Sequence, residues 1–320
     1  MIHVNHVSKQ YTVNRLPSGQ KRRFRFFPQN QTVYGVKDLS FEIERGETVG
    51  YIGLNGAGKS TTIKLLTGIL SPTEGEVTVA GMVPYKQRKK LASKIGVVFG
   101  QRNQLWWDLP LIDSFELLKS LYSISASDYK KTLDELTEIL KVQDFLHTPV
   151  RQLSLGQRMR GNLIAALLHR PEVLFLDEPT LGLDIDSRYD FIQFVKSQKQ
   201  ITVFLTSHNM QDIEELCSRI LILDKGSLLY DGSLENIYNE NYGKYVIHAK
   251  LKDSESAMKA GYSTDSHGVL HLQAPAERDK ERLIHEILSS LPVEDLSISE
   301  NSLEGYLLHR SKSHETISDH

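Results

Sequence analysis

Gly53-Leu54-Asn55-Gly56-Ala57-Gly58-Lys59-Ser60-Thr61 follows the pattern glycine, four residues, Gly-Lys-Ser/Thr. The apolar run from Val49 to Ile52 predicts a strand before it, and Ser60 to Leu70 predicts a helix after it. Three glycines let the backbone wrap tightly, so that successive N–H groups point into one concavity. That concavity lies at a helix N-terminus, where the dipole favours anions. Lys59 is then placed to reach the β- and γ-phosphates of a nucleoside triphosphate, and the Ser60 hydroxyl to ligate Mg²⁺. The competing reading is a glycine-rich turn with a chance lysine, and the strand–loop–helix context weighs against it.

At 320 residues the chain can hold one large domain and a small one. An apolar fraction of 40% and a charged fraction of 24% are ordinary for a soluble globular protein. The formal net charge of −2 gives no general attraction to nucleic acid, and no specific nucleic-acid partner is expected. The single Cys217 excludes an internal disulfide and fits a reducing compartment; its place in a periodic helix turns it toward the core. No run of about 18 apolar residues occurs, so no membrane span is expected. Met1-Ile2-His3-Val4-Asn5 lacks the apolar core of a signal peptide. The expected location is cytoplasmic, with any membrane attachment made through a partner.

Residues 2 to 13 predict a short strand ending near Tyr11. Residues 14 to 32 read as a polar insertion containing Lys21-Arg22-Arg23-Phe24-Arg25-Phe26-Phe27-Pro28. This basic cluster with interleaved aromatics is compatible with a solvated loop, with a contact to anionic headgroups or a membrane partner, or with nucleic acid. Leu39, Phe41 and Ile43 alternate with polar residues as in a half-buried strand, and Val77 and Val79 do the same. Short strands on both sides of the glycine-rich loop predict an antiparallel β layer beside a parallel, helix-covered core.

Ile95 to Phe99 predict a strand followed by Gly100-Gln101. Asp113 is a candidate cap for a helix reaching about Tyr122, and Tyr129, Leu133, Leu136, Ile139 and Leu140 keep helical spacing on a second. Residues 105–170 are thus mainly helical. Adjacent Trp106 and Trp107 are either buried or a partner-docking site. Leu153-Ser154-Leu155-Gly156-Gln157 opens another apolar helix, a second potential anion site.

Val173-Leu174-Phe175-Leu176-Asp177-Glu178 is a continuous apolar run ending in two carboxylates, as a buried parallel strand would. Asp177 is placed to hold Mg²⁺, and Glu178 to orient and deprotonate a water. Ile201 to Leu205 predict a further buried strand ending at Thr206-Ser207-His208, where ligands bind in open α/β sheets. Asp224-Lys225-Gly226 reads as a hairpin turn.

Taken together, residues 1 to about 240 resemble the nucleotide-binding subunit of an ABC transporter, a P-loop NTPase. Tyr11 matches the aromatic that stacks on adenine. Gly53, Leu54, Asn55, Gly56, Ala57, Gly58, Lys59, Ser60 and Thr61 match the Walker A loop. Gln101 matches the Q-loop glutamine, which touches Mg²⁺ or the attacking water. Ser154, Gly156 and Gln157 match the signature sequence, Asp177 and Glu178 the Walker B aspartate and catalytic base, Asp184 the D-loop aspartate and His208 the switch histidine. Two departures stand out: Leu155 occupies the place of a second signature glycine, which bears on the rate of closure, and Gly100 precedes Gln101.

The resemblance implies an α/β cassette with a parallel core sheet, an antiparallel β layer and a helical subdomain at 105–170. It implies two cassettes, a homodimer in the simplest case, closing head to tail around two MgATP and moving a transmembrane permease. Trp106 and Trp107 are candidates for the permease contact. Such a subunit sits peripherally on the cytoplasmic face of the membrane. Residues 241–310 predict a strand, strand, helix, strand and short closing helix at Ser302 to Leu307. This resembles the small α+β C-terminal domain of export-type subunits, and 311–320 read as a polar disordered tail. Export is the leading expectation; an importer subunit and a soluble ABC ATPase acting on nucleic acid or ribosomes are the alternatives.

Overall fold

Leu39, Phe41 and Ile43 are all buried, as their alternation requires of a strand that faces the core on one side. They lie on β2 (Gln29–Ile43), which pairs antiparallel with β1 (Ile2–Arg15); β1 pairs in turn with β4 (Glu74–Val79), giving the sheet order β2-β1-β4. The computed structural model describes residues 1–15, 29–100, 103–238, 245–252, 262–265, 268–274, 277–301, 303 and 306. Two compact units are present, Met1–Asp231 and Gly232–His320.

The β1–β2 ladder continues out to Arg15 opposite Gln29. Residues 14–15 and 29–32 therefore belong to paired strands and not to the expected polar insertion. Backbone pairing carries the ribbon past the point where side chains find a core, and Val13, Val33 and Tyr34 are exposed on it. The basic–aromatic cluster at 21–28 lies outside the described residues.

The second sheet has the order β5-β6-β7-β3-β8-β9. Its strands are β3 (Thr48–Gly53), β5 (Ile95–Phe99), β6 (Val173–Asp177), β7 (Thr202–Thr206), β8 (Arg219–Asp224) and β9 (Ser227–Ser233). The pairs β5/β6, β6/β7, β7/β3 and β3/β8 are parallel. Their continuous apolar sequences follow from burial on both faces. β9 folds back beside β8 through a turn in which Lys225 and Gly226 both take positive φ. The two sheets meet through aromatic rings: Phe41 lies 6.4 Å from Phe204, which is 4.9 Å from Tyr51 and 5.8 Å from Phe175. Burial pushes the Tyr51 phenol up, and its hydroxyl pairs with Thr62 Oγ1 at 2.8 Å.

Helix α1 (Lys59–Leu66) is shorter than the predicted Ser60 to Leu70, because Gly68 turns left-handed at φ 75° and ends it. After α2 (Arg88–Ala92), residues 105–170 consist mainly of α3 (Leu111–Leu121), α4 (Ala126–Ile139) and α5 (Leu155–Leu167). Asp113 does not cap α3: Pro110 holds the N-cap position, and Asp113 falls in the first turn. The free N–H groups there are taken by a distant loop, Ile112 donating to the Leu146 carbonyl at 3.0 Å. α6 (Ile185–Ser197) and α7 (Met210–Leu216) follow β6 and β7. Cys217 is buried, as its helical phase indicated.

In the second unit β10 (Tyr245–Leu251) is central to a sheet of order β11-β10-β12, with β11 at Val269–Ala274 and β12 at Val293–Glu300. The helix Glu277–Ser290 contributes Ile287 to a small core with Ile247, Ala249, Leu251 and Leu270. Of the expected closing helix only Leu303 and Tyr306 are described, and both are buried. Residues 311–320 lie outside the described residues.

Candidate functional site

β3 lies between β7 and β8 and delivers the glycine-rich loop to the end of the parallel sheet. Gly56 and Gly58 adopt φ 84° and 111°, a region that a side chain would strain, and α1 begins immediately after Gly58. The turn between β8 and β9 braces this loop: Gly226 N–H donates to the Ala57 carbonyl at 2.9 Å, and its own carbonyl accepts from Lys37 N–H at 2.7 Å. Lys59 folds over the loop and donates from Nζ to the Gly53 carbonyl at 2.6 Å. Burial pulls its ammonium pKa down, and the nearby Glu178 and Asp177 carboxylates pull it back up. The result is a cleft of about 400 Å³, bounded by residues 55–61 on one side and by Asp177, Glu178 and His208 on the other.

The two carboxylates follow directly from β6. Asp177 Oδ1 accepts from Thr206 Oγ1 at 2.7 Å, and Glu178 N–H donates to the Thr206 carbonyl at 3.1 Å. Glu178 has φ 52°, a left-handed conformation that costs a non-glycine residue about 1–3 kcal/mol. Its Oε2 accepts from the main-chain N–H of His208 at 2.8 Å. Its Oε1 is buried and makes no hydrogen bond; His208 Nε2 stands 3.4 Å away, within ion-pair reach. Burial raises the Glu178 pKa above the usual carboxylate range, opposed by the His208 N–H, the His208 ring and Lys59. The Glu178 side chain lines a phosphate-sized cleft, and a carboxylate of raised pKa there can take a proton from water. Ser60 and Asp177 bring hard oxygen donors to the same cleft. That fits Mg²⁺, which takes one or two protein oxygens and fills its remaining positions with water and phosphate.

Tyr11 lies at the rim of this region. Its ring crosses Gly35, where a Cβ would stand 2.6 Å from Tyr11 Cε2 and 3.1 Å from the Thr61 side chain. Gln101 lies outside the described residues. Gly100 is described and explains itself: a Cβ there would stand 1.9 Å from the Glu178 carbonyl, and Gly100 N–H donates to the Asp177 carbonyl at 2.8 Å. Only glycine lets the chain leaving β5 pass so close to the carboxylate pair.

Ser154, Gly156 and Gln157 do not line the cleft. They form the start of α5, where Ser154 Oγ accepts from Gln157 N–H at 3.2 Å and Gln157 Oε1 accepts from Ser154 N–H at 2.9 Å. Asp184 caps α6, accepting from the Ser187 N–H at 2.8 Å and the Ser187 hydroxyl at 2.9 Å. Those two bonds hold its carboxyl below the usual range. The two helix starts touch: a Cβ on Gly156 would stand 2.2 Å from Ser187 Oγ, and Leu155 packs against Gly182. This second polar cluster thus belongs to a separate surface from the cleft.

Trp106 and Trp107 are both exposed, at 42% and 49%, while their neighbour Leu105 is buried. The Arg158 guanidinium lies 5.4 Å from the Trp107 ring. Sequence reading passed over Gly35, a lone glycine in a strand and a weak signal for close backbone approach. It also passed over Asp212, an acid four residues before Leu216 on the inward face of α7.

A family profile described as ABC transporter matches residues 36–181. The ABC transporter ATP-binding protein NatA of Bacillus subtilis is 32% identical over 232 residues, which cover 71% of this chain and 94% of NatA. The linearmycin resistance ATP-binding protein LnrL of the same organism is 33% identical over 234 residues, covering 72% of this chain and 75% of LnrL. Among solved structures, a dimeric ATP-binding cassette bound to ADP and Pi in a post-hydrolysis state aligns with a TM-score of 0.61 at 26% identity, over 73% of this chain and 99% of that one. Likeness on this scale reaches far beyond one phosphate-binding loop, and the chain belongs to the ABC transporter family as an ATP-binding subunit with ATPase activity.

Proposed function

We propose that this chain powers export: two copies close head to tail around two MgATP and drive a separate transmembrane permease. The observation that carries the ATPase part is the Glu178 carboxylate, half-buried, raised in pKa and held by His208 across from the glycine-rich loop. In this reading residues 53–61 bind the phosphates through main-chain N–H groups, with Lys59 on the β- and γ-phosphates. Tyr11 stacks on adenine. Ser60, Asp177 and Gln101 hold Mg²⁺, which when bound neutralises charge on the phosphate oxygens. Glu178 accepts a proton from the water that attacks the γ-phosphorus in line; the bond to the β–γ bridging oxygen breaks, leaving ADP and Pi. His208 contacts the γ-phosphate, and Gln101 helps place the water.

Ser154, Gly156 and Gln157 serve the nucleotide of the opposite copy, with Asp184 beside them. Their placement outside the chain's own cleft supports this division, since each copy then completes the other's site. Among the described residues no helix is long and apolar enough to cross a membrane. In this reading the permease supplies the span and this chain sits peripherally on the cytoplasmic face of the membrane. Exposed Trp106 and Trp107 are its proposed contact. Export is favoured by the likeness to a resistance ATP-binding protein.

The test is purification of the chain from its own membranes in gentle detergent, with identification of the co-purifying chains. A multi-spanning protein without a solute-binding protein is the expected result. Recovery with a solute-binding protein overturns export, and recovery only in the soluble fraction with ribosomes or nucleic acid overturns transport.

A further inference from the structure

Asp212 sits in the first turn of α7 with its side chain 1% exposed, yet it carries a carboxylate. Such a group is tolerated only when its oxygens are met by donors. Three segments supply them. Arg188, on α6, donates from Nε to Oδ1 at 2.5 Å. Thr180, in the turn after β6, donates its hydroxyl to Oδ2. Ser207, immediately after β7, donates its hydroxyl to the same oxygen at 3.3 Å.

These partners stand next to the cleft residues in sequence. Thr180 is two residues beyond Glu178, and Ser207 directly precedes His208. Glu178 and His208 are themselves joined by the 2.8 Å bond from the His208 N–H. The two strand ends, joined through Thr206 to Asp177 and Glu178, are thus tied again beyond the strands, by the His208 N–H and through Asp212. Arg188 adds α6, whose first turn is capped by Asp184 and whose Arg188 N–H donates to the Asp184 carbonyl at 2.9 Å. One carboxylate therefore links β6, β7 and the start of α6.

We infer that Asp212 is a positioning residue for ATP hydrolysis: by clamping Thr180 and Ser207 it sets the separation and orientation of Glu178 and His208. It does not line the cleft, and its hydrogen-bond partners lie outside the glycine-rich loop, so it acts on the chemical step and not on ATP binding. Water-attack geometry is demanding, and a misplacement of about 1 Å costs on the order of a hundredfold in rate. The inference rests on the roles proposed above for Glu178 and His208.

The test compares Asp212→Asn, Thr180→Val and Glu178→Gln in the full chain, measuring kcat and KM for ATP per folded molecule and the dissociation constant for ATP. Asn keeps the shape but loses the charge that Arg188 faces, and Val keeps the shape of Thr180 without its hydroxyl. Both should lower kcat about tenfold or more while the ATP dissociation constant stays within about threefold of wild type. Thr180→Ser, which restores the hydroxyl, should return most of the rate. If Asp212→Asn does not fold, Thr180→Val alone decides. Unchanged kcat in Thr180→Val, or a loss confined to KM or melting temperature, overturns the inference. If Glu178→Gln itself keeps full turnover, the proposed base is wrong. If Glu178→Gln is inactive while Thr180→Val is normal, only the positioning role of Asp212 is lost.

Discussion

His208 holds Glu178 through its backbone: the His208 N–H donates to Oε2 at 2.8 Å, while the ring nitrogen Nε2 stands 3.4 Å from Oε1. Replacing the His208 ring leaves the backbone bond in place. The carboxylate is thereby oriented by the end of β7, whatever the side chain at position 208.

Glu178→Gln keeps the size of the side chain and removes the proton acceptor. We expect turnover to fall by about 10²–10⁴-fold, the usual worth of a general base. ATP affinity should remain near wild type, because Lys59 and the loop are untouched. Steady-state hydrolysis and equilibrium nucleotide binding, measured side by side, check this, and normal turnover removes Glu178 from that role.

The same substitution should stabilise the nucleotide-free protein in EDTA at neutral pH. Burial raises the Glu178 pKa, so the folded state bears a penalty for the charged form. That penalty is fully present above the folded pKa and absent below the unfolded value of about 4.3. The melting-temperature advantage of Glu178→Gln should therefore be largest at pH 7–8 and vanish as the pH falls toward about 4. An advantage independent of pH would assign the effect to packing instead of charge.

Lys59→Ala removes the one ammonium in the glycine-rich loop and uncovers the Gly53 carbonyl it now satisfies. ATP affinity should drop by about tenfold or more, from loss of a charge-assisted contact worth roughly 1.5–3 kcal/mol. Titration with a fluorescent ATP analogue reads this directly, and an unchanged dissociation constant would count against the loop as the phosphate site.

Gly156→Ala places a Cβ 2.2 Å from Ser187 Oγ and 2.9 Å from Ser187 Cβ. The start of α5 must then move away from the start of α6, at a cost of about 1–3 kcal/mol. ATP binding by the chain's own loop should persist while ATP-dependent association of two copies weakens. Size-exclusion chromatography with ATP in a Glu178→Gln background measures that association; an unaltered dimer fraction would separate this helix start from the interface.

Cys217 is buried, and burial pushes its thiol well above the usual range. The thiolate is the reactive form. A colorimetric thiol reagent at pH 8 should react at least about a hundredfold more slowly with the folded chain than with the chain in denaturant. Rapid labelling of the folded protein would indicate local opening around α7.

Strands β5 and β6 occupy the spans their apolar runs indicated, because a buried parallel strand needs no information beyond its own sequence. The loop, the carboxylate pair and His208 were legible for a related reason: each ends a strand of one sheet, and those ends converge. What could not be read depends on contacts distant in sequence. Asp113 looked like a cap, and the cap was supplied by the Leu146 carbonyl. The outer part of the β1–β2 ribbon carries polar residues and looked like a loop, yet backbone pairing holds it as strand. Asp212 is bound by donors 5, 24 and 32 residues away in sequence, a link that no local pattern announces.

The brace of Gly226 on Ala57 has a consequence for how the molecule is made. The loop emerges early from the ribosome, but β3 has neither of its neighbours until residues 203–205 and 219–223 have followed it. Its last hydrogen bond waits for Gly226. A nascent chain of 200 residues already contains the loop, both carboxylates and the start of α5, yet it lacks the two strands that hold the loop in shape. Nucleotide can therefore add its binding energy to the fold only near the end of synthesis of this unit. Until then the apolar edges of β3 and β6 are open, which is the interval in which the growing chain most needs protection from its neighbours.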